Sequence, residues 1–191
     1  MKKTSNKIEV LDKIEKVTYI THPSPVVLVS TISKDGINNI APFAMFMNCS
    51  TKPHMIALGI SPISDTYKNI IDTNEFVVSI PNEEILKEVY QSGNKYDPEE
   101  NEFDITGLTP YKSNNVKASR VMESAVNIDC TLESHTESGN HYIVVGKVIG
   151  VDMEEDLFCE DSVNLRLNIP KTYHLTGNKF LVNNKLKEIE L

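Results

Sequence analysis

Apolar and polar positions alternate in short blocks along most of this chain, and only two stretches show helical spacing. Val26 to Ile32 is a β-branched run that stops at Ser33-Lys34-Asp35-Gly36 and resumes through Ile37 to Met47, which predicts a hairpin turned by Asp-Gly. Met55 to Ile60, after the Thr51-Lys52-Pro53 break, predicts a third strand, and Phe76 to Ile80, closed by Pro81, a fourth. Ser124 to Ser134 and His141 to Met153 predict two more, joined through Glu137-Ser138-Gly139-Asn140. Ile63, Tyr67, Ile70 and Ile71 share one helical face, with Ser64 or Asp65 as N-cap and Asn74 as a left-handed C-terminal residue. Ile85, Leu86, Val89 and Tyr90 predict a second short helix. Residues 92–112 carry Gly93, Pro98, Gly107 and Pro110 and read as a long loop. Leu157 to Leu167 fits helix or strand, and Lys171 to Leu191 reads as extended.

Six strands, two short helices and no regular strand-helix alternation predict an antiparallel barrel or sandwich in one domain spanning residues 1–191. The net charge of -8 would repel a phosphate backbone, so no nucleic-acid partner is expected. The three cysteines, Cys49, Cys130 and Cys159, have no disulfide or zinc spacing, and the first 20 residues contain no signal-peptide core or spanning segment. A cytoplasmic location without a membrane partner is expected. No metal-ligand spacing joins the five histidines, and no glycine-rich dinucleotide or P-loop fingerprint occurs.

Two places could carry chemistry. The helix start near Ser64, with hydroxyls at Ser61, Ser64 and Thr66 and a charge at Lys68, is either a simple cap or an anion site built on free backbone N–H groups. The segment Asn39-Ile40-Ala41-Pro42-Phe43-Ala44-Met45-Phe46 puts a proline inside a strand, which implies an edge, a bulge or a ligand contact. Cys49 follows it and could face a pocket, while His141 opens a strand just after a turn, at a barrel rim.

Taken in order, Pro25 to Thr31, Asp35-Gly36, Asn39 to Phe43, Ser50 with Pro53, Asp65-Thr66, Asn69-Ile70, Glu75 to Val78 and Pro81 resemble the flavin reductase-like FMN-binding split-barrel family. The likeness continues through Ser92-Gly93, Phe103, Gly107-Leu108-Thr109, Glu123-Ser124-Ala125, Ile128-Asp129-Cys130 and His141 to Val148, so it covers about residues 20–152 and leaves 153–191 as a C-terminal extension. The resemblance implies a mainly β, six-stranded antiparallel Greek-key split barrel with a few short helices, assembled as a homodimer that holds FMN near the subunit interface. It implies that Asn39, Ala41, Pro42, Phe43, Ala44 and Met45 pass the isoalloxazine ring and that Asn48, Cys49 and Ser50 continue past it. By the same likeness Ser61, Ser64, Asp65 and Thr66 meet the phosphate, and His141 lies near the flavin or an incoming nicotinamide, as a catalytic candidate. The implied activity is an NAD(P)H-dependent flavin reductase using NADH or NADPH. The alternative is a flavoredoxin-like FMN carrier reduced by a redox partner protein. The chain departs from the family pattern where Ser64 replaces a basic residue, Ala44 a hydroxyl residue, His54 a proline and Asn74 a glycine.

Overall fold

The computed structural model describes residues 17–182. Helix α1 (Val17–Thr21) and the short strand β1 (Ser24–Pro25) lead into β2 (Val27–Ile32), β3 (Asn38–Phe43), β4 (Phe46–Thr51) and β5 (His54–Ile60). Helix α2 (Asp65–Thr73), β6 (Glu75–Ile80), α3 (Leu86–Gln91) and α4 (Glu102–Thr106) follow. The chain continues through β7 (Pro110–Tyr111), β8 (Arg120–Val121), β9 (Val126–Ser138), β10 (His141–Met153), α5 (Ser162–Asn168), β11 (Thr172–Thr176) and β12 (Lys179–Val182).

Seven strands form one antiparallel sheet in the order β3-β2-β6-β9-β10-β5-β4. The six predicted strands account for all seven, because the run from Ile37 to Met47 breaks at a corner, Ala44–Met45, into β3 and β4. At that corner Gly59 N–H donates to Met45 O at 2.9 Å, which draws the two ends of the sheet together. A Cβ on Gly59 would lie 2.8 Å from Met45 Sδ, so glycine is what lets Met45 lie against β5. Closure on the other side rests on Gly146, where a Cβ would come within 2.3 Å of Cζ of the fully buried Phe76.

Both faces of β2 are buried, which is why its sequence is a continuous apolar run rather than an alternating one. Val27 and Val29 join Ile56, Leu58, Phe76 and Val144 inside the barrel, while Val26 and Leu28 pack outward on Ile40, Val89 and Phe103. Helix α2 is capped as predicted: Ser64 Oγ accepts from Tyr67 N–H, and Asn74 closes the other end with φ 60°. Its buried face is Thr66, Asn69 and Ile70, whereas Ile63 lies before the helix and is 83% exposed, which corrects the predicted apolar face.

Three further differences are instructive. The loop predicted over residues 92–112 contains α4 and β7; α4 is a single turn capped by Asn101 and Gly107, too short for an apolar period to register. The ambiguous segment around Leu165 is helical. The extended C-terminal segment folds back as the β11–β12 hairpin, anchored by Ser24↔His174 and Pro25↔Tyr173 pairing with β1; residues 183–191 lie outside the described part. None of the described helices is long and apolar enough to cross a membrane.

Candidate functional site

Strand β3 ends one edge of the large sheet, paired only with β2 in it. Successive amides of an antiparallel strand point to opposite sides, so residues 40 and 42 share a direction. Ile40 N–H points away from β2, where Glu102 Oε2 accepts it at 2.7 Å. Pro42 therefore sits where its missing N–H costs the ladder nothing. Of the readings of the proline strand, the edge is the one observed, and Pro42 also lines a cleft.

That cleft, of about 690 Å³, runs between the β3–β4 corner, β5, the start of α2 and the start of β10. Pro42, Phe43, Ala44, Met45 and Met47 form one wall and Ile143 another, an apolar and partly aromatic surface. Ser61 and Ser64 stand at the far end, beside the α2 N-terminus. The volume falls in the range of small-molecule sites, about 300–1,000 Å³. His141 is at the rim, and its Nδ1 is 2.8 Å from Asn140 Oδ1, which can only accept. Nδ1 thus carries a proton, and Nε2 is the nitrogen left for a ligand.

Of the residues singled out by sequence, the structure brings Pro42, Phe43, Ala44, Met45, Ser61, Ser64 and His141 to one cleft. It does not bring the others. Asn39 is buried with both ends of its amide engaged: Oδ1 accepts from Thr31 at 3.1 Å and Thr66 at 3.0 Å, and Nδ2 donates to Glu102 at 2.9 Å. Thr66 is turned inward into the same network and presents no hydroxyl to the cleft. Asp65 pairs with Lys68 at 3.0 Å, and both line a different, acidic cavity with Glu102, so the expected Lys68 charge is directed elsewhere. Ala41, Cys49 and Ser50 do not line the cleft, and Asn48 faces a neighbouring pocket with Phe46 and Lys171. Sequence reasoning missed Thr21, His22 and Ser24, which reach the cleft from the segment before β2. Pro23 and Pro25 were the available signal, since they hold that segment extended.

Ser64 uses its hydroxyl twice, accepting from Tyr67 N–H at 3.2 Å and donating to Ser61 O at 2.8 Å. The amides of Asp65 and Thr66 lie in the first turn, outside the intrahelical ladder. The donor set at this end is therefore Ser61 and helix N–H groups, with the positive end of the helix dipole behind them. No Lys or Arg is among the described residues that line the cleft. A flat apolar body with a small anionic tail matches this division of surfaces.

Residues 19–172 match the flavin reductase like domain. Over 154 residues the chain is 37% identical to an uncharacterised protein of Aquifex aeolicus (strain VF5), covering 78% of this chain and 77% of that one. The fold is similar to nitrilotriacetate monooxygenase component B from Bacillus cereus, with a TM-score of 0.82, 22% identity, and 99% and 98% of the two chains covered. It is also similar to the flavoredoxin of Desulfovibrio vulgaris (Miyazaki F), with a TM-score of 0.77, 22% identity, and 88% and 91% covered.

Proposed function

Because the chain belongs to the family of flavin reductase like domains, we propose that its cleft takes FMN and that the protein is an oxidoreductase fed by NADH or NADPH. The observation that carries this reading is one continuous cleft with an apolar Pro42–Met45 corner at one end and Ser61 with the α2 N-terminus at the other. When bound, FMN supplies the hydride and electron transfer chemistry. The protein's part is to seat the ring against Phe43, Ala44 and Met45, to hold the phosphate at Ser61 and the first-turn amides, and to present His141 Nε2 at the rim. The reading extends to a homodimer, since Met45, Met47 and Ile143 leave an apolar rim, 53%, 59% and 43% exposed, that a second copy would cover.

A flavoredoxin-like carrier is the second reading. It is favoured by the lack of Lys and Arg among the described cleft residues, which leaves a dinucleotide pyrophosphate without a cation. Anaerobic mixing of the FMN-loaded protein with NADH and NADPH separates the two. Bleaching of the flavin bands supports the reductase, and no bleaching with either nucleotide supports the carrier. Failure to retain any flavin after saturation and desalting would overturn both.

The phosphate assignment has its own test. Removing one hydroxyl donor from a charged acceptor costs about 1.5–3 kcal/mol, so Ser61→Ala should weaken FMN binding roughly tenfold or more. Riboflavin lacks the phosphate and should bind both proteins alike. Equal weakening of the two flavins would place the phosphate away from Ser61.

A further inference from the structure

Beside the cleft lies a second cavity of about 350 Å³, reached over the same strand end. Pro42 and Phe43 form its floor, Val89 and Tyr90 of α3 one side, and His174 and Phe180 of the β11–β12 hairpin the other. Ala44 also borders both spaces. The hairpin is not loosely laid there. Its first strand pairs with β1, Val26 N–H donates to Thr172 O at 3.1 Å, and Phe180 packs on the outer core cluster.

Two imidazoles mark the partition between the spaces. His22 lines the cleft and His174 the cavity, with ring centroids 6.1 Å apart in an edge-on arrangement. His174 is in turn edge-on to Phe180 at 5.6 Å, and its Nε2 lies 3.1 Å from Gly177 O, a pure acceptor. Nε2 is therefore the protonated nitrogen, and in the neutral ring Nδ1 accepts. Asn94 adds an amide to the lining. None of the described lining residues is Lys, Arg, Asp or Glu, so a charged guest would lose hydration without gaining a counter-charge.

We propose that this cavity is a binding subsite for an uncharged, single-ring organic molecule, held between Phe43, Tyr90 and Phe180 with its polar substituent toward His174 and Asn94. Its designation as the seat of the electron acceptor, next to the strand end that walls the cleft, rests on the flavin reading above. The binding itself does not. The lining combines flat ring-stacking surfaces with the His174 ring nitrogen and the Asn94 amide and holds, among its described residues, no lysine, arginine or carboxylate, which selects a ring bearing an amide rather than a phosphate or carboxylate. The C-terminal extension would thereby set which acceptor the protein accepts.

Three probes of one shape and different charge test this: benzamide, benzoate and benzamidine, titrated calorimetrically into the FMN-loaded protein near pH 8. Benzamide should bind at least about tenfold more tightly than either ion. His174→Leu should lower benzamide affinity by a similar factor. Independently of any variant, the ring resonances of His174 and Phe180 in the unaltered protein should shift on adding benzamide, with those of His141 unmoved. Equal affinity for the three probes, or benzamide that competes with FMN and shifts His141 instead, would overturn the proposal. If the protein takes up no flavin, the same titration of the flavin-free protein still decides the cavity's occupancy, so the two readings fail separately.

Discussion

Arg120→Ala is expected to cost about 3–5 kcal/mol of stability, because it leaves a buried carboxylate without its partner. The guanidinium is nearly buried and holds two carboxylates. Nε and Nη2 donate to the two oxygens of Asp129 at 3.0 and 2.6 Å, and Nη1 donates to Asp152 at 2.7 Å. Asp129 is fully buried and also accepts from Ser113 and Asn115, each at 2.8 Å. Tyr111 donates to Asp152 on the same side, and burial with that carboxylate pushes its hydroxyl up to about 12. Burial alone would raise the Asp129 pKa, but the bonds from Arg120, Asn115 and Ser113 outweigh it and hold the group below its ordinary value.

A carboxylate with a lowered pKa stabilises the fold above its ordinary pKa, and that contribution is lost as pH falls through the folded value. Without Arg120 burial is opposed by fewer bonds and pushes the Asp129 pKa up, so the variant's deficit should be largest near neutral pH and should shrink on acidification as Asp129 takes up a proton. Urea denaturation at neutral pH checks the first claim. Arg120→Ala combined with Asp129→Asn should recover part of the loss, because the uncompensated buried charge is gone. A single-variant loss under about 1 kcal/mol would show that the cluster is structural decoration.

How much of this was legible in the sequence depends on what each residue needed to be read. The Asp35-Gly36 turn, the Ser64 cap and the Asn74 terminus are local devices, and each stands where spacing placed it, with Gly36 at φ 86°. Pro42, Ser61 and His141 became cleft residues because each marked the end of an element, and element ends gather at barrel rims. Thr66 and Asn39 could not be read that way. The two bond to each other across 27 residues of chain, and Glu102 is 63 residues from Asn39. A buried polar network leaves no apolar period behind, so Thr66 looked like a surface hydroxyl. The Arg120 cluster was invisible for the same reason: it joins β8, β9, β10 and the residue 113–117 turn through contacts that only the register of β9 and β10 brings together. The β11–β12 hairpin carries few β-branched residues, and its pairing with β1 depends on a two-residue strand.

Between about pH 5 and pH 8 the protein should lose up to roughly 3 kcal/mol of stability through Glu102 alone. The side chain is only 8% exposed, and burial, with some repulsion from Asp65, drives its pKa from 4.5 to about 7 against the bonds from Ile40 N–H and Asn39 that favour the charge. A carboxyl whose folded pKa is raised contributes stability that is fully present below 4.5 and is lost as pH rises through 7. Urea midpoints at the two pH values measure the loss, and Glu102→Gln isolates it from other titrating groups. Glutamine removes the titrating charge but sets an NH2 against one of the two N–H donors, from Asn39 and Ile40, whose bonds the carboxyl accepts, so the variant should start below the unaltered protein near pH 5 and change less between pH 5 and pH 8. The carboxyl resonance of Glu102, followed by carbon NMR, should titrate near pH 7. A midpoint near the ordinary carboxylate value, or an unchanged pH slope in Glu102→Gln, would mean that the Ile40 and Asn39 bonds fully offset burial. The location makes the outcome matter beyond stability, because Glu102 fastens α4 to the outer edge of β3 and, through Asn39 and Thr66, to the start of α2. Those are the two elements whose ends form the cleft's apolar corner and its hydroxyl end.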